Sequence, residues 1–185
     1  MPTLADVEPT PDDLLASAIR VIRETWARIE RGDLRGPYGR QALLQTIYQV
    51  YCGWSLDQKR QIGRRLAQPL PENRRTKPHL LELLIHAALP SIEQPVVLNW
   101  SDAIRLGEAC HVQPSKLRAF LYAKGGMVRC AEEFRERQAE QQRRAEEQLQ
   151  EREDARAEAR QRRRAQKAAG YARGPLFFGL YGRSL

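Results

Sequence analysis

From Met127 to Ala168 the chain contains neither glycine nor proline. Ala, Glu, Gln and Arg dominate this run, and all four are good helix formers. Beyond Phe134 its only large apolar residue is Leu149. Such a stretch can hold a helix but cannot build a core, so any core must be made from the residues ahead of it. At about 1.5 Å of rise per residue the helix would be roughly 60 Å long. The pairs Glu133–Arg137, Glu140–Arg144 and Glu158–Arg162 stand four apart with the acid first, the better orientation on a helix. A coiled coil needs apolar a and d positions over several heptads. With only Leu149 available, residues 128–169 read as a long, charged, solvated helix in preference to a dimerising coiled coil. The segment Val128–Phe134 still has enough apolar character to pack on the preceding body.

Residues 11–127 are rich in Leu, Ile, Val, Tyr and Trp and form the expected helical bundle, preceded by a disordered N-terminus at 1–10. Thr10-Pro11-Asp12-Asp13 is a helix start: a capping hydroxyl, a proline suited to the first turn, and two acids at the positive end. Leu14, Leu15, Ala18, Ile19, Ile22, Trp26 and Ile29 follow at helical spacing, and Gly32 ends the segment. After a loop at 32–39, a helix from Arg40 to Cys52 is apolar on most sides and belongs near the centre. Ser55 and Gln58 make a capping box that opens a third helix to about Ala67. A proline-punctuated loop at 68–76 carries Arg74 and Arg75, just before Lys77. Pro78 begins a fourth helix that ends at Pro90. Residues 91–100 read as irregular, with a short extended piece at Val96–Leu98, and nothing is available to pair with it as a sheet. The fold class is all-α.

Ser101 to Lys124 reads as two short helices joined by a tight turn. Ser101 is an N-cap candidate with Asp102 behind it. Ile104, Leu106 and Cys110 face inward. The second helix opens on Pro114 and turns Leu117, Phe120 and Leu121 inward. This stretch resembles the helix-turn-helix of many bacterial DNA-binding regulators, at the level of the motif and over about 22 residues. Gly107 stands where that pattern has a small residue at the helix crossing. His111 replaces the turn glycine, which is preferred because φ is positive there, and Val112 follows as the apolar residue. The resemblance implies that the second helix lies in the major groove of double-stranded DNA, with Gln113, Ser115, Lys116, Arg118, Ala119 and Tyr122 facing outward. Lys116 or Arg118 would then donate to guanine and Gln113 would read adenine. Lys124, Arg74, Arg75 and Lys77 would hold phosphates, which fixes register but reads no sequence.

The charge balance agrees with a polyanionic partner. The formal net charge is +8; residues 11–127 carry 17 Lys and Arg against 11 Asp and Glu, and residues 128–185 carry 14 against 10. After Glu158 there is no acid, and Arg160, Arg162, Arg163, Arg164, Lys167, Arg173 and Arg183 form a purely basic end. Clusters like Arg162–Arg164 bind nucleic acid without sequence preference and with strong salt dependence. The tail at 170–185 also carries Leu176, Phe177, Phe178, Leu180 and Tyr181, apolar enough to dock on the body or to serve as a partner-binding peptide. Cys52, Cys110 and Cys130 are odd in number and widely spaced, which speaks against a disulfide framework. The start has no basic segment followed by an apolar run, and no stretch nears 18 uninterrupted apolar residues. These readings give a cytoplasmic protein with no membrane contact. No phosphate-cradling glycine loop, metal-spaced His/Cys set or partnered nucleophile is present. His79 and His86, seven apart, read as ordinary surface or core histidines. The chain is therefore expected to be a regulator or accessory factor that binds DNA, without enzymatic activity, cofactor or metal. Two other readings use the same features: an adaptor that assembles with proteins through the bundle and long helix, and an RNA-binding protein that uses the charge alone.

Overall fold

The computed structural model describes residues 9–68 and 78–172. Among these there are seven α-helices, one 3-10 turn and no strand, so the fold is all-α. In chain order they are α1 (Pro11–Glu30), α2 (Gly36–Gly53), α3 (Leu56–Ala67), α4 (Leu80–Ala88), α5 (Gln94–Ala109), the 3-10 turn Pro114–Lys116, α6 (Leu117–Ala123) and α7 (Met127–Ala172).

Local chemistry sets most helix starts. At α1, Thr10 and Asp13 satisfy each other's backbone amides: Asp13 N–H donates to Thr10 Oγ1 at 3.3 Å and Thr10 N–H donates to the Asp13 carboxylate at 3.1 Å. Ser55 and Gln58 do the same at α3, at 3.3 and 2.8 Å. The cap of α4 is His79, whose Nδ1 accepts from Leu81 N–H at 3.3 Å.

Other starts differ from the expectation: α4 opens at Leu80 behind its His79 cap, not at Pro78. α2 opens at Gly36, ahead of the expected Arg40, because Pro37 falls in the first turn, where its fixed φ is already helical and its missing N–H costs nothing. Within the segment 91–100 only residues 91–93 are irregular, and the extended piece expected at Val96–Leu98 is helical. α5 opens at Gln94 for the same reason, with Pro95 in its first turn and Glu93 in extended backbone before it. Ser101 is consequently no cap; it is a fully buried residue inside α5.

The core lies around α2, which contributes Leu43, Leu44, Ile47, Tyr48 and Tyr51. Ile22 of α1, Leu81, Leu84 and Ile85 of α4, Val97, Trp100 and Ile104 of α5, and Leu117 and Leu121 of α6 close on it. Each such side chain contributes about 1.5–3 kcal/mol relative to leaving it exposed. The Trp26 and Trp100 rings meet tilted, with centroids 6.2 Å apart.

The chain divides into two compact units, the first ending at Arg137 and the second beginning at Gln138. The division lies inside α7, not at its start, because the helix's first turns are tied into the bundle. Cys130, Ala131 and Phe134 are buried. Buried Asp102 accepts from Arg135 Nε at 2.9 Å and from Arg105 Nη1 at 3.5 Å. Arg135 also donates to Asn99, and the Arg105 guanidinium sits 4.5 Å over the Phe134 ring. In the second unit, residues 139–167 are exposed throughout and present no apolar stripe. Its pairs are local: Arg144 with Glu140, Arg162 with Glu158 at 3.7 Å, and Gln150 donating to Asp154 at 3.0 Å. None of the described helices is long and apolar enough to cross a membrane.

Candidate nucleic-acid interface

The junction between α5 and α6 is built by a chain of specific local contacts. α5 ends in a Schellman motif: Val112 N–H donates to Gly107 O and His111 N–H donates to Glu108 O, each at 2.9 Å. The residue in the left-handed position is His111, with φ of 54°, and it is the one non-glycine residue with positive φ among those described. The next residue is pinned from α2, whose Tyr48 Oη donates to Val112 O at 2.9 Å. Gln113 then takes extended backbone and Pro114 opens the 3-10 turn that runs into α6. α5 and α6 approach closely enough at Gly107 that a Cβ there would meet Leu117 Cδ1 at 2.8 Å. α6 ends in a second Schellman motif, with Gly125 at φ of 85° and Gly126 N–H donating to Leu121 O at 2.8 Å.

These contacts fix which side chains face out. Leu117 and Leu121 are fully buried, and Phe120 is half-buried. Gln113, Ser115, Lys116, Arg118, Ala119 and Tyr122 are all exposed, Tyr122 at 72%. Lys124 sits differently. Its Nζ is 2.9 Å from Glu133 of α7, and the same carboxylate pairs with Arg137 at 2.6 Å. The hydrogen bond from Lys124 is the main cause holding the Glu133 carboxyl below its ordinary value. Lys124 thus braces the start of α7 and is engaged in a way that Lys116 is not. Arg162, Arg163 and Arg164 are exposed on the second unit. Arg74, Arg75, Lys77 and the Leu176–Tyr181 segment lie outside the described residues.

Three residues at this face went unnoticed in the sequence. Tyr38, Gln41 and Gln45 of α2 line a groove of about 470 Å³ together with Ser115, Arg118 and Tyr122. Tyr38 is 59% exposed, and the Arg118 guanidinium lies 5.8 Å from its ring centroid. Gln45 Nε2 reaches Ser115 O at the long distance of 3.5 Å. Gln41 is only 7% exposed, yet its side chain makes no hydrogen bond among the described residues. No carboxylate lines the groove. The available signal was the pair of glutamines four apart on a helix that is otherwise apolar on most sides.

Burial also shifts titratable groups in the core. His79, next to Tyr51, has its pKa lowered to about 4, first by burial and then by nearby Arg105. It is neutral at pH 7, as an accepting Nδ1 cap requires. Burial raises the Tyr51 hydroxyl to about 12 and the Cys130 thiol to about 11. No group of three or more His, Cys, Asp or Glu placed to hold a metal occurs among the described residues. No protein-family model matches the chain, and neither a curated protein nor a solved structure shows significant similarity to it.

Proposed function

We propose that this protein binds double-stranded DNA by laying the α6 segment, from Gln113 to Tyr122, in the major groove. One observation carries the reading: every outward side chain of this segment is exposed, and none is a carboxylate, while its inward side chains anchor it to α2 and α5. A helix presented in this way offers its N-terminal residues to base edges. Lys116 and Arg118 can donate to guanine acceptors and the Gln113 amide can pair with adenine. Gly107 at the crossing and the left-handed His111 in the turn are where the helix-turn-helix pattern needs a small residue and a positive φ. Exposed Arg163 and Arg164, which form no ion pair among the described residues, supply a sequence-independent attraction to phosphates. The function needs neither a cofactor nor a metal.

A mobility-shift series with duplex DNA, single-stranded DNA and duplex RNA at two salt concentrations tests the reading. The expected result is a duplex DNA shift that weakens steeply at the higher salt. A shift confined to RNA, or no shift with any nucleic acid, overturns it.

A further inference from the structure

The groove beside α6 has features that contact with a regular duplex does not use. Gln41 is covered over most of its surface, but its amide opens to the groove and makes no hydrogen bond among the described residues. Four residues further along the same helix, Gln45 makes only a long contact to Ser115 O. Each amide therefore brings a donor and an acceptor to the groove with capacity unused. On its rim stand two tyrosines, 59% and 72% exposed, and the guanidinium of Arg118. Aromatic and guanidinium planes over an opening without carboxylates suit a flat, uncharged ring system attached to a negatively charged backbone. The volume is within the range of small-molecule sites.

We infer that the groove formed by Tyr38, Gln41, Gln45, Ser115, Arg118 and Tyr122 takes a single unpaired nucleobase, stacked against the tyrosines with its edge on the glutamine amides. The inference rests on the proposed DNA-binding reading and narrows its substrate to duplex DNA that carries an unpaired base next to the contacted turn. A paired base cannot reach the groove floor without leaving its stack, which costs least where it is already unpaired. In this arrangement Gln41 sets which base edge is accepted, and Tyr38 holds Arg118 at the mouth.

The test compares the full-length protein on a perfect duplex, the same duplex with a one-nucleotide 2-aminopurine bulge, the same bulge made abasic, and the 2-aminopurine strand alone. The bulged duplex is expected to bind about ten-fold tighter than the perfect one, with quenching of 2-aminopurine emission as the base stacks. Q41M and Y38A are each expected to remove most of that preference while leaving perfect-duplex affinity within about three-fold. Tyr38 is exposed, so Y38A keeps the test valid even if Q41M perturbs the fold. Equal affinity for perfect and bulged duplexes overturns this inference and leaves the duplex reading standing. So does an abasic bulge that binds as tightly as the base, or a preference that survives both substitutions. Tight, quenched binding of the bulge or the single strand with none of the perfect duplex supports the groove and overturns the major-groove reading. Binding of no probe overturns both.

Discussion

His111 occupies a backbone region that costs an ordinary residue about 1–2 kcal/mol. It is the residue that turns α5 toward α6, so this cost sits at the candidate site. H111G removes the strain, partly offset by about 0.4–1 kcal/mol of added freedom in the unfolded chain. Urea melts should show the variant more stable by up to about 1 kcal/mol; a clear loss of stability would show that the imidazole makes an unseen contribution. Ser101 carries the opposite lesson. Its hydroxyl is fully buried inside α5 and has no hydrogen-bond partner among the described residues. S101A removes a desolvated donor and should raise stability by about 1 kcal/mol. His79 makes stability depend on pH. The folded imidazole has a pKa of about 4 against an ordinary 6.5, so the unfolded chain binds the proton more readily between those values. Stability is full above pH 6.5 and declines as pH falls toward 4. In H79N, whose amide oxygen can still cap α4, this step should vanish from melts recorded across that window.

The elements show where local signals are sufficient and where they are not. The capping pairs at Thr10–Asp13 and Ser55–Gln58 were legible because they act within four residues, and so was the centrality of α2, since a helix apolar on most sides has to be surrounded. The start of α5 was misread because Ser101 has the chemistry of a cap, while Pro95 six residues earlier has the geometry of a first turn. The proline prevailed because it leaves no amide unsatisfied there, and the helix it opens buries Val97 and Trp100. The tie between α5 and α7 depends on contacts across 33 residues of sequence and left no pattern to read. Asp102 and Arg135 should show a coupling of about 1–2 kcal/mol in a double-mutant cycle, since the carboxylate is buried and the guanidinium only half-covered. Additive single and double variants would mean that buried Cys130, Ala131 and Phe134, with the Lys124–Glu133 pair, hold the helix without this ion pair. At the α5–α6 crossing, G107V drives a branched side chain into Leu117 and should cost about 1–3 kcal/mol. Stability equal to the parent protein would mean that the two helices separate freely.

At the scale of the whole molecule, the net charge of +8 comes from both the bundle and the residues after it. That balance was plain in the sequence and suits a polyanion. The outward set on α6 was also legible, because helical spacing around Leu117 and Leu121 decides which residues are left over. Two things were not. Lys124 looked like a free phosphate contact, but Glu133 holds it, a pairing that exists only once α7 packs on α6. Tyr38, Gln41 and Gln45 are distant in sequence from α6 and join the site only through the packing of α2 against it. A salt series puts duplex DNA binding by the outward face of α6 to the test. Affinity of the full chain for a short duplex is measured over a range of salt concentrations, for the parent protein and for K116A/R118A. Both positions are exposed, so the double variant should fold normally. The double variant is expected to bind at least ten-fold more weakly at moderate salt, with a log–log slope flatter by roughly one to two. Unchanged affinity and an unchanged slope would contradict DNA binding by this face.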